Sequence, residues 1–534
     1  MADEKIVLEF KNTSLIALLV ILLVFFVLEL QVTLPSPITF GDEAFHTGMA
    51  RYIAKEKDYS AWITIEGTEA GRNNFGKPPM LHLLEAGFFL VFGFNEVIVK
   101  LLLPFISLLT ALSIYILVKK IFDDKIGFIA AIVFISIPSV VTYAVTFYTE
   151  GLVTLYFALT VLLFLYSAKT ESKKYLLLTG AFAAFAFLTE VSSVNLIIFI
   201  LLAAFYDLAR RNFQITKYAA IFVLFIVLIS GFFVRNLGIY KVPECYLPFT
   251  DKIFGRAGCE YGTLLREQSY QYQAITQGGG SNEGVYRMGI TNFLDFAFGN
   301  IWLVTLGIFG GLVILLQRRD VTSVLLLLAL FTFVPYFHFT TARAEDAARN
   351  ILAWTPIFAI LTGVYFGRLY EFLQSHQKYI AVIVFLIVII LAYQNLSSKL
   401  IVMKQVKQFS PAFFETCEWV RNNLPKDVVL STVWVHRAAY SCERIVVGNP
   451  PDIFLSKDLE LIRKDINEVG ITHLFIQKFS LGNEAISETY KIDTIMFFEE
   501  NNETFVKVYE NGPPLKQCIQ QGGCDGNIIY ELKF

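Results

Sequence analysis

Apolar runs recur along this chain from about residue 14 to about residue 395. Runs of about 16–22 residues, rising 1.5 Å per residue as helices, cross the roughly 30 Å of bilayer hydrocarbon. Segmenting the chain by these runs predicts eleven membrane helices, near 14–33, 96–118, 126–146, 151–168, 175–190, 192–208, 217–237, 297–317, 321–339, 350–369 and 379–395. Only 17% of the residues are charged and 55% are hydrophobic, Phe alone occurring 51 times. A soluble domain carries about a quarter charged residues. One soluble core cannot absorb such a composition, and a polytopic α-helical membrane protein can. The first run, Leu15 to Leu30, lacks a small-residue cleavage site and reads as a retained signal-anchor helix. A net charge of -2 gives no electrostatic reason to expect a nucleic-acid partner.

Basic residues in short loops set orientation, because they stay on the cytoplasmic side. With a cytoplasmic N-terminus, five clusters fall inside: Lys119, Lys120 and Lys125; Lys169, Lys173 and Lys174; Arg210, Arg211 and Lys217; Arg318 and Arg319; Arg368 and Lys378. An odd number of spans then puts the C-terminus outside. The expected division is a transmembrane domain over 1–395, with a first outer loop at 34–95 and a long outer loop at 238–295. A soluble extracytoplasmic domain follows over 396–534. Cys245, Cys259, Cys417, Cys442, Cys518 and Cys524 all fall on the outer side, where oxidation favours disulfides. Neighbour pairing, 245–259, 417–442 and 518–524, is the simplest arrangement. Helix-period and strand-period stretches alternate in the C-terminal part: Pro411–Asn423, Asp427–Ser431, Leu455–Val469 with Ser456 as N-cap, Thr472–Ile476 and Phe505–Tyr509. They predict a small α/β domain.

The first outer loop holds the densest chemistry. Asp42 and Glu43 follow the first span closely, and Lys77-Pro78-Pro79 precedes an apolar run. One reading of Asp42 is a helix N-cap opening Glu43 to Lys55. A cap needs a single carboxylate, however, and Glu150 and Glu190 sit at the outer tips of the next two hairpins. Carboxylates so near hydrocarbon are costly unless paired or wet, so a cluster of these acids at the outer interface is the other reading. Pro79 is suited to start an interfacial helix from Met80 to Phe92, with Leu81, Leu84, Phe88 and Phe92 on one face. Lys77 at its start either snorkels or binds phosphate beside the helix N-terminus. Arginines at outer membrane ends run against the positive-inside trend, which singles out Arg235 and Arg349 as phosphate ligands or interfacial anchors. His46, His82 and His338 with Glu43 or Glu85 offer donor atoms for a divalent metal, though the spacing fits no known ligand pattern.

These residues resemble a family. Asp42-Glu43-Ala44, then Phe75-Gly76-Lys77-Pro78-Pro79-Met80-Leu81-His82, then Phe92-Gly93 look like the first outer loop of GT-C glycosyltransferases. The resembling branch includes the protein O-mannosyltransferases and the aminoarabinose transferases that modify lipid A. Tyr148-Thr149-Glu150 and Arg349-Asn350-Ile351-Leu352 extend the likeness, which covers roughly residues 10–370. It implies a GT-C-like membrane fold and an inverting transfer of one sugar, a hexose such as mannose, from a polyprenyl-phosphate donor. The acceptor is a hydroxyl on protein, glycan or lipid at the outer face of the cell membrane. By motif match Asp42 takes the role of base, and Glu43 and Glu150 orient acceptor or sugar. Lys77 holds phosphate with Arg349 or Arg235. His46 and Glu190 complete the set of candidate substrate contacts. Two departures stand out. Gly76 occupies a position where some relatives carry a metal-site Glu, so no metal is carried over. Glu190 stands where relatives often have a lysine.

A transporter or flippase of lipid-linked sugars is the rival class. It predicts inverted repeats and Gly/Pro-broken helix pairs near mid-membrane. The charges of this chain cluster instead at the ends of its spans.

Overall fold

Within hydrocarbon every backbone N–H and C=O must be satisfied inside its own segment, so the apolar runs fold as helices. The computed structural model describes residues 13–38, 41–57, 78–240, 301–333, 349, 351–407, 410–432, 434–447, 457–478 and 492–534. In chain order the membrane portion contains α1 (Thr13–Thr33), α2 (Gly41–Glu56), α3 (Met80–Phe92), α4 (Glu96–Ile121), α5 (Asp124–Ser136), α6 (Pro138–Val145) and α7 (Thr149–Thr170). There follow α8 (Lys173–Phe187), α9 (Asn195–Ala209), α10 (Ile215–Tyr240), α11 (Ile301–Arg318), α12 (Val321–Phe331), α13 (Thr355–His376) and α14 (Lys378–Val406).

Among the described residues six helical stretches are long and apolar enough to cross a membrane: Thr13–Thr33, Glu96–Ile121, Thr149–Thr170, Ile215–Val234, Leu352–His376 and Tyr379–Val406. The expected continuous span at 126–146 is instead two helices, α5 and α6, bent by 62°. Pro138 has no N–H to continue the ladder, and its ring drives Ile137 out of helical geometry, to φ -64° and ψ 124°. Counting the bent pair as one gives seven spans by length. The shortfall from eleven lies in helices shorter than a full crossing, such as α8 and α9 with 15 residues each. The last long helix runs past Asn395 to Val406.

The loops rich in lysine and arginine gather at one end of the bundle. Lys169 donates to the carbonyls of Lys120 and Ile121 (2.8 and 3.0 Å), and Lys125 reaches Glu371 at 4.0 Å. Helices pack here through small residues, as is usual where lipid offers no hydrophobic drive for association. Gly363 of α13 lies so close to α5 that a Cβ would stand 2.8 Å from the Ile126 carbonyl oxygen.

The C-terminal domain comprises α15 (Pro411–Asn423), β1 (Val429–Ser431), α16 (Val435–Cys442), β2 (Ile445–Val447), α17 (Leu459–Val469), β3 (His473–Gln477), α18 (Ile492–Glu500), β4 (Phe505–Asn511), α19 (Leu515–Gln520) and β5 (Asn527–Leu532). Its sheet has the order β2-β1-β3-β5-β4. The β1 pairings are parallel and those of β5 antiparallel. The expected α/β character, and α15 with its limits, are observed. The expected cap Ser456 lies outside the described residues; α17 starts later and is capped by Asp458, which accepts from the Glu460 and Leu461 N–H groups. Disulfides join Cys417 to Cys442 and Cys518 to Cys524. Cys245 and Cys259 lie outside the described residues.

The two parts of the chain share a core. Phe45 and Met49 of α2 pack with Phe413, Cys417, Val420, Leu430, Cys442 and Phe475 of the C-terminal domain. The opposite flank of α2, with Ala50 and Ala54, packs on Leu81 and Phe89 of α3 and on α4. The stripe that α3 leaves exposed is Leu83, Leu90, Val91 and Phe92, whereas Leu81 is fully buried. The interfacial face is therefore rotated from the expected one, because His82 and Glu85 are buried beside Leu81 and fix which side of α3 turns inward.

Candidate active site

α2 begins at Gly41, so Asp42 and Glu43 both stand in its first turn, where the exposed N–H groups favour negative charge. The two carboxylates point to different partners. Asp42, about a third exposed, accepts from Arg349 Nη1 at 2.9 Å. Glu43 is 1% exposed, accepts the Phe147 N–H at 2.8 Å and pairs with Lys407 Nζ at 2.9 Å. Lys407 also donates to the Val145 carbonyl. Those backbone groups are exposed to side chains because the helix breaks after α6. Glu43 thus ties α2 to the α6–α7 connection and to the end of α14. Glu43, expected to orient acceptor or sugar, is enclosed by these partners.

Arg349 is the hub. Its Nε bonds to Glu150 at the start of α7 and its Nη1 to Asp42. Its guanidinium lies 5.0 Å above the Tyr148 ring. Burial alone would make this arginine less basic, but the charges of Glu150 and Asp42 win and raise its pKa above the ordinary value. The Tyr148 hydroxyl is likewise driven up, first by burial and then by the charges of Asp42 and Glu43. It stays protonated, a donor facing acids. Thr149 links in the third acid: its Oγ1 is 3.3 Å from Glu150 Oε2 and 3.3 Å from Glu190 Oε2. The geometry brings Asp42, Glu150, Glu190 and Arg349 into one cluster.

His46 does not join that cluster. It is 1% exposed, between α2 and α3, with Nδ1 2.7 Å from His82 Nε2 and the two rings stacked. His46, expected among the substrate contacts, lies four residues beyond Asp42, one helical turn deeper in the packing. Lys77 lies outside the described residues, as does His338, and Arg235 is described only as backbone within α10. Among the described residues no three His, Cys, Asp or Glu side chains come together as a metal-holding set.

Sequence reasoning missed Lys407 and the C-terminal domain's reach over α2. A lysine just past an apolar run, at the end expected outside, runs against the positive-inside trend, and that was the available signal.

Residues 76–233 match the family model described as dolichyl-phosphate-mannose-protein mannosyltransferase. The matched stretch starts one residue before Lys77 and includes Glu150 and Glu190. No curated protein matches the chain. Solved structures resemble it throughout. The apo oligosaccharyltransferase of Archaeoglobus fulgidus superposes with a TM-score of 0.67 at 11% identity, over 97% of this chain and 74% of that one. ArnT from Cupriavidus metallidurans bound to undecaprenyl phosphate gives 0.61 at 12% identity, over 97% of both chains. The arabinofuranosyltransferase AftD from Mycobacteria gives 0.56 at 13% identity, over 96% of this chain and 40% of that one. At such identities the structural likeness is one of fold. The chain has the fold of these three glycosyltransferases, and residues 76–233 of it match the mannosyltransferase family model.

Proposed function

We propose that this protein is an inverting membrane glycosyltransferase that moves a sugar, a hexose such as mannose, from a polyprenyl-phosphate donor to a hydroxyl acceptor. The observation that carries this reading is Arg349 clasping Asp42 and Glu150 at one end of a GT-C fold. The Archaeoglobus enzyme has been solved with a dolichol-phosphate and an inhibitory peptide, and ArnT with undecaprenyl phosphate, which supports a lipid-phosphate donor. Asp42 takes the proton of the acceptor hydroxyl as its oxygen attacks the anomeric carbon, within hydrogen-bond reach as a general base must be. The bond from that carbon to the phosphate oxygen breaks, and the electron pair leaves on the lipid phosphate. Such a leaving group needs cations more than it needs an acid. Arg349 supplies one, and Lys77, three residues before Met80 in sequence, another. Glu150 and Glu190 orient sugar or acceptor hydroxyls. The loops with basic clusters face the cytoplasm, and the site and C-terminal domain face outward, where acceptors on protein, glycan or lipid arrive.

The test is transfer from a labelled polyprenyl-phosphate hexose to candidate acceptors by the purified protein. Wild type transfers and Asp42→Asn does not. Equal transfer by the two proteins would end this reading.

A further inference from the structure

Among the described residues, acids outnumber the cation that meets them in this cluster. Arg349 serves Asp42 and Glu150, and Glu190 adds a third carboxylate through Thr149. Lys407 is occupied by Glu43. A phosphate entering this cluster adds more negative charge, and in a water-poor site that repulsion is strong. Cations beyond Arg349, the proposed Lys77 among them, offset that repulsion.

The C-terminal domain brings one over α2. His436 of α16 packs on Phe45, three residues after Asp42, with ring centroids 5.1 Å apart. The next residue, Arg437, lays its guanidinium on the Trp434 ring at 4.1 Å. That stack sets the plane of the guanidinium and removes rotamer freedom, which suits a ligand for a fork of oxygens. Arg437 lies within electrostatic reach of the Tyr148 hydroxyl and of Glu43. Burial lowers its pKa to about 10, which leaves it cationic at neutral pH. Tyr148 is also the ring beneath Arg349.

α16 is also held more firmly than a helix of 8 residues needs for its own sake. The Cys417–Cys442 disulfide fastens its last residue to α15. Arg421 donates to the Ser441 carbonyl, and Arg444 to the carbonyls of Val420, Arg421 and Leu424 at 3.2, 3.0 and 2.7 Å. The Tyr440 hydroxyl donates to Glu96 Oε1 at 2.8 Å, and Arg51 of α2 pairs with Glu443 at 3.1 Å.

From this geometry we infer that Arg437 is a substrate-binding residue, delivered by the C-terminal domain to hold the phosphate of the lipid-linked donor together with Arg349. The inference rests on the glycosyltransferase reading above. Arg437 makes and breaks no bond; its charge steadies the oxygen that keeps the electron pair when the sugar departs.

The test is equilibrium binding of labelled undecaprenyl phosphate to the full-length protein in detergent, with undecaprenol as the uncharged control. Arg437→Gln weakens binding about tenfold, the scale of one charge-assisted contact. Arg437→Lys weakens it less, and Arg318→Ala, at the opposite end of the bundle, leaves it unchanged. In turnover the donor KM rises in Arg437→Gln while the acceptor KM holds, a split that a purely structural loss does not produce. Should Arg437→Gln not fold, Arg437→Lys carries the test through the same KM split. Unchanged affinity for undecaprenyl phosphate in a folded Arg437 variant overturns the assignment, as does equal weakening for undecaprenol. The two readings fail separately. Wild type that binds the lipid phosphate through Arg437 but transfers no sugar ends the transferase reading alone. Transfer with a donor KM indifferent to Arg437 ends this assignment alone.

Discussion

At the end of the bundle that carries the basic loops, most charges pair with neighbours in sequence: Lys119 with Asp124, Lys217 with Asp207, Arg318 with Asp320, Arg368 with Glu371. Lys125 with Glu371 and Arg368 with Asp123 are the longer links there, at 4.0 and 3.7 Å. At the opposite end the partners come from far apart. Arg349 meets Asp42 and Glu150, Lys407 meets Glu43, and Arg51 meets Glu443. A neighbour pair forms in any helical hairpin and secures a turn. A remote pair forms only when the whole bundle is assembled, and it places a charge where local structure would not. What sets the opposite end apart is that its remote pairs converge on one helix, α2, at Asp42, Glu43 and Arg51.

The sharpest way to break this contrast is at Asp42. Asp42→Asn keeps the shape and removes the base, so transfer falls about 10²–10⁴-fold, measured as initial rate with the labelled donor. Arg349→Ala comes next. It removes the guanidinium that meets the phosphate in the proposed mechanism and leaves Asp42 and Glu150 facing each other, lowering kcat about 10²–10³-fold. Lys407→Ala strands Glu43 in a buried setting and costs about 3–5 kcal/mol of stability, visible as a fall in the thermal midpoint. Adding Glu43→Gln to it recovers much of that loss, since the stranded charge is then gone. The smallest effect belongs to the other end: Arg318→Ala disturbs a half-exposed pair, costs about 0–1 kcal/mol and leaves the transfer rate within twofold of wild type. A large loss of transfer in Arg318→Ala would erase the distinction between the two ends.

Much of this was legible in the amino-acid order. The length of the apolar runs gave away the membrane helices, and proline placement with amphipathic spacing marked α15. Asp42, Glu150 and Glu190 could be assembled because each sits at the tip of an apolar hairpin, where an acid demands a partner. The break after α5 was hidden, since hydrophobicity continues unchanged through Ile137-Pro138 and only backbone chemistry interrupts the helix. The separate duties of Asp42 and Glu43 were hidden too. Adjacent residues on a helix point about 100° apart, and which direction meets Arg349 depends on packing remote in sequence. Arg437 belonged to a helix that short-range patterning did not reveal, and its neighbours lie hundreds of residues upstream.

The span between Asp42 and Lys407 also sets a timetable for synthesis. The first carboxylates emerge early from the ribosome, whereas Arg349, Lys407 and the Cys417–Cys442 staple come only after most of the chain has been inserted. Until then Glu43 has no lysine to enclose it, and α2 has no C-terminal domain to cover Phe45 and Met49. The nascent protein therefore carries α2 without its lysine and arginine partners for most of translation.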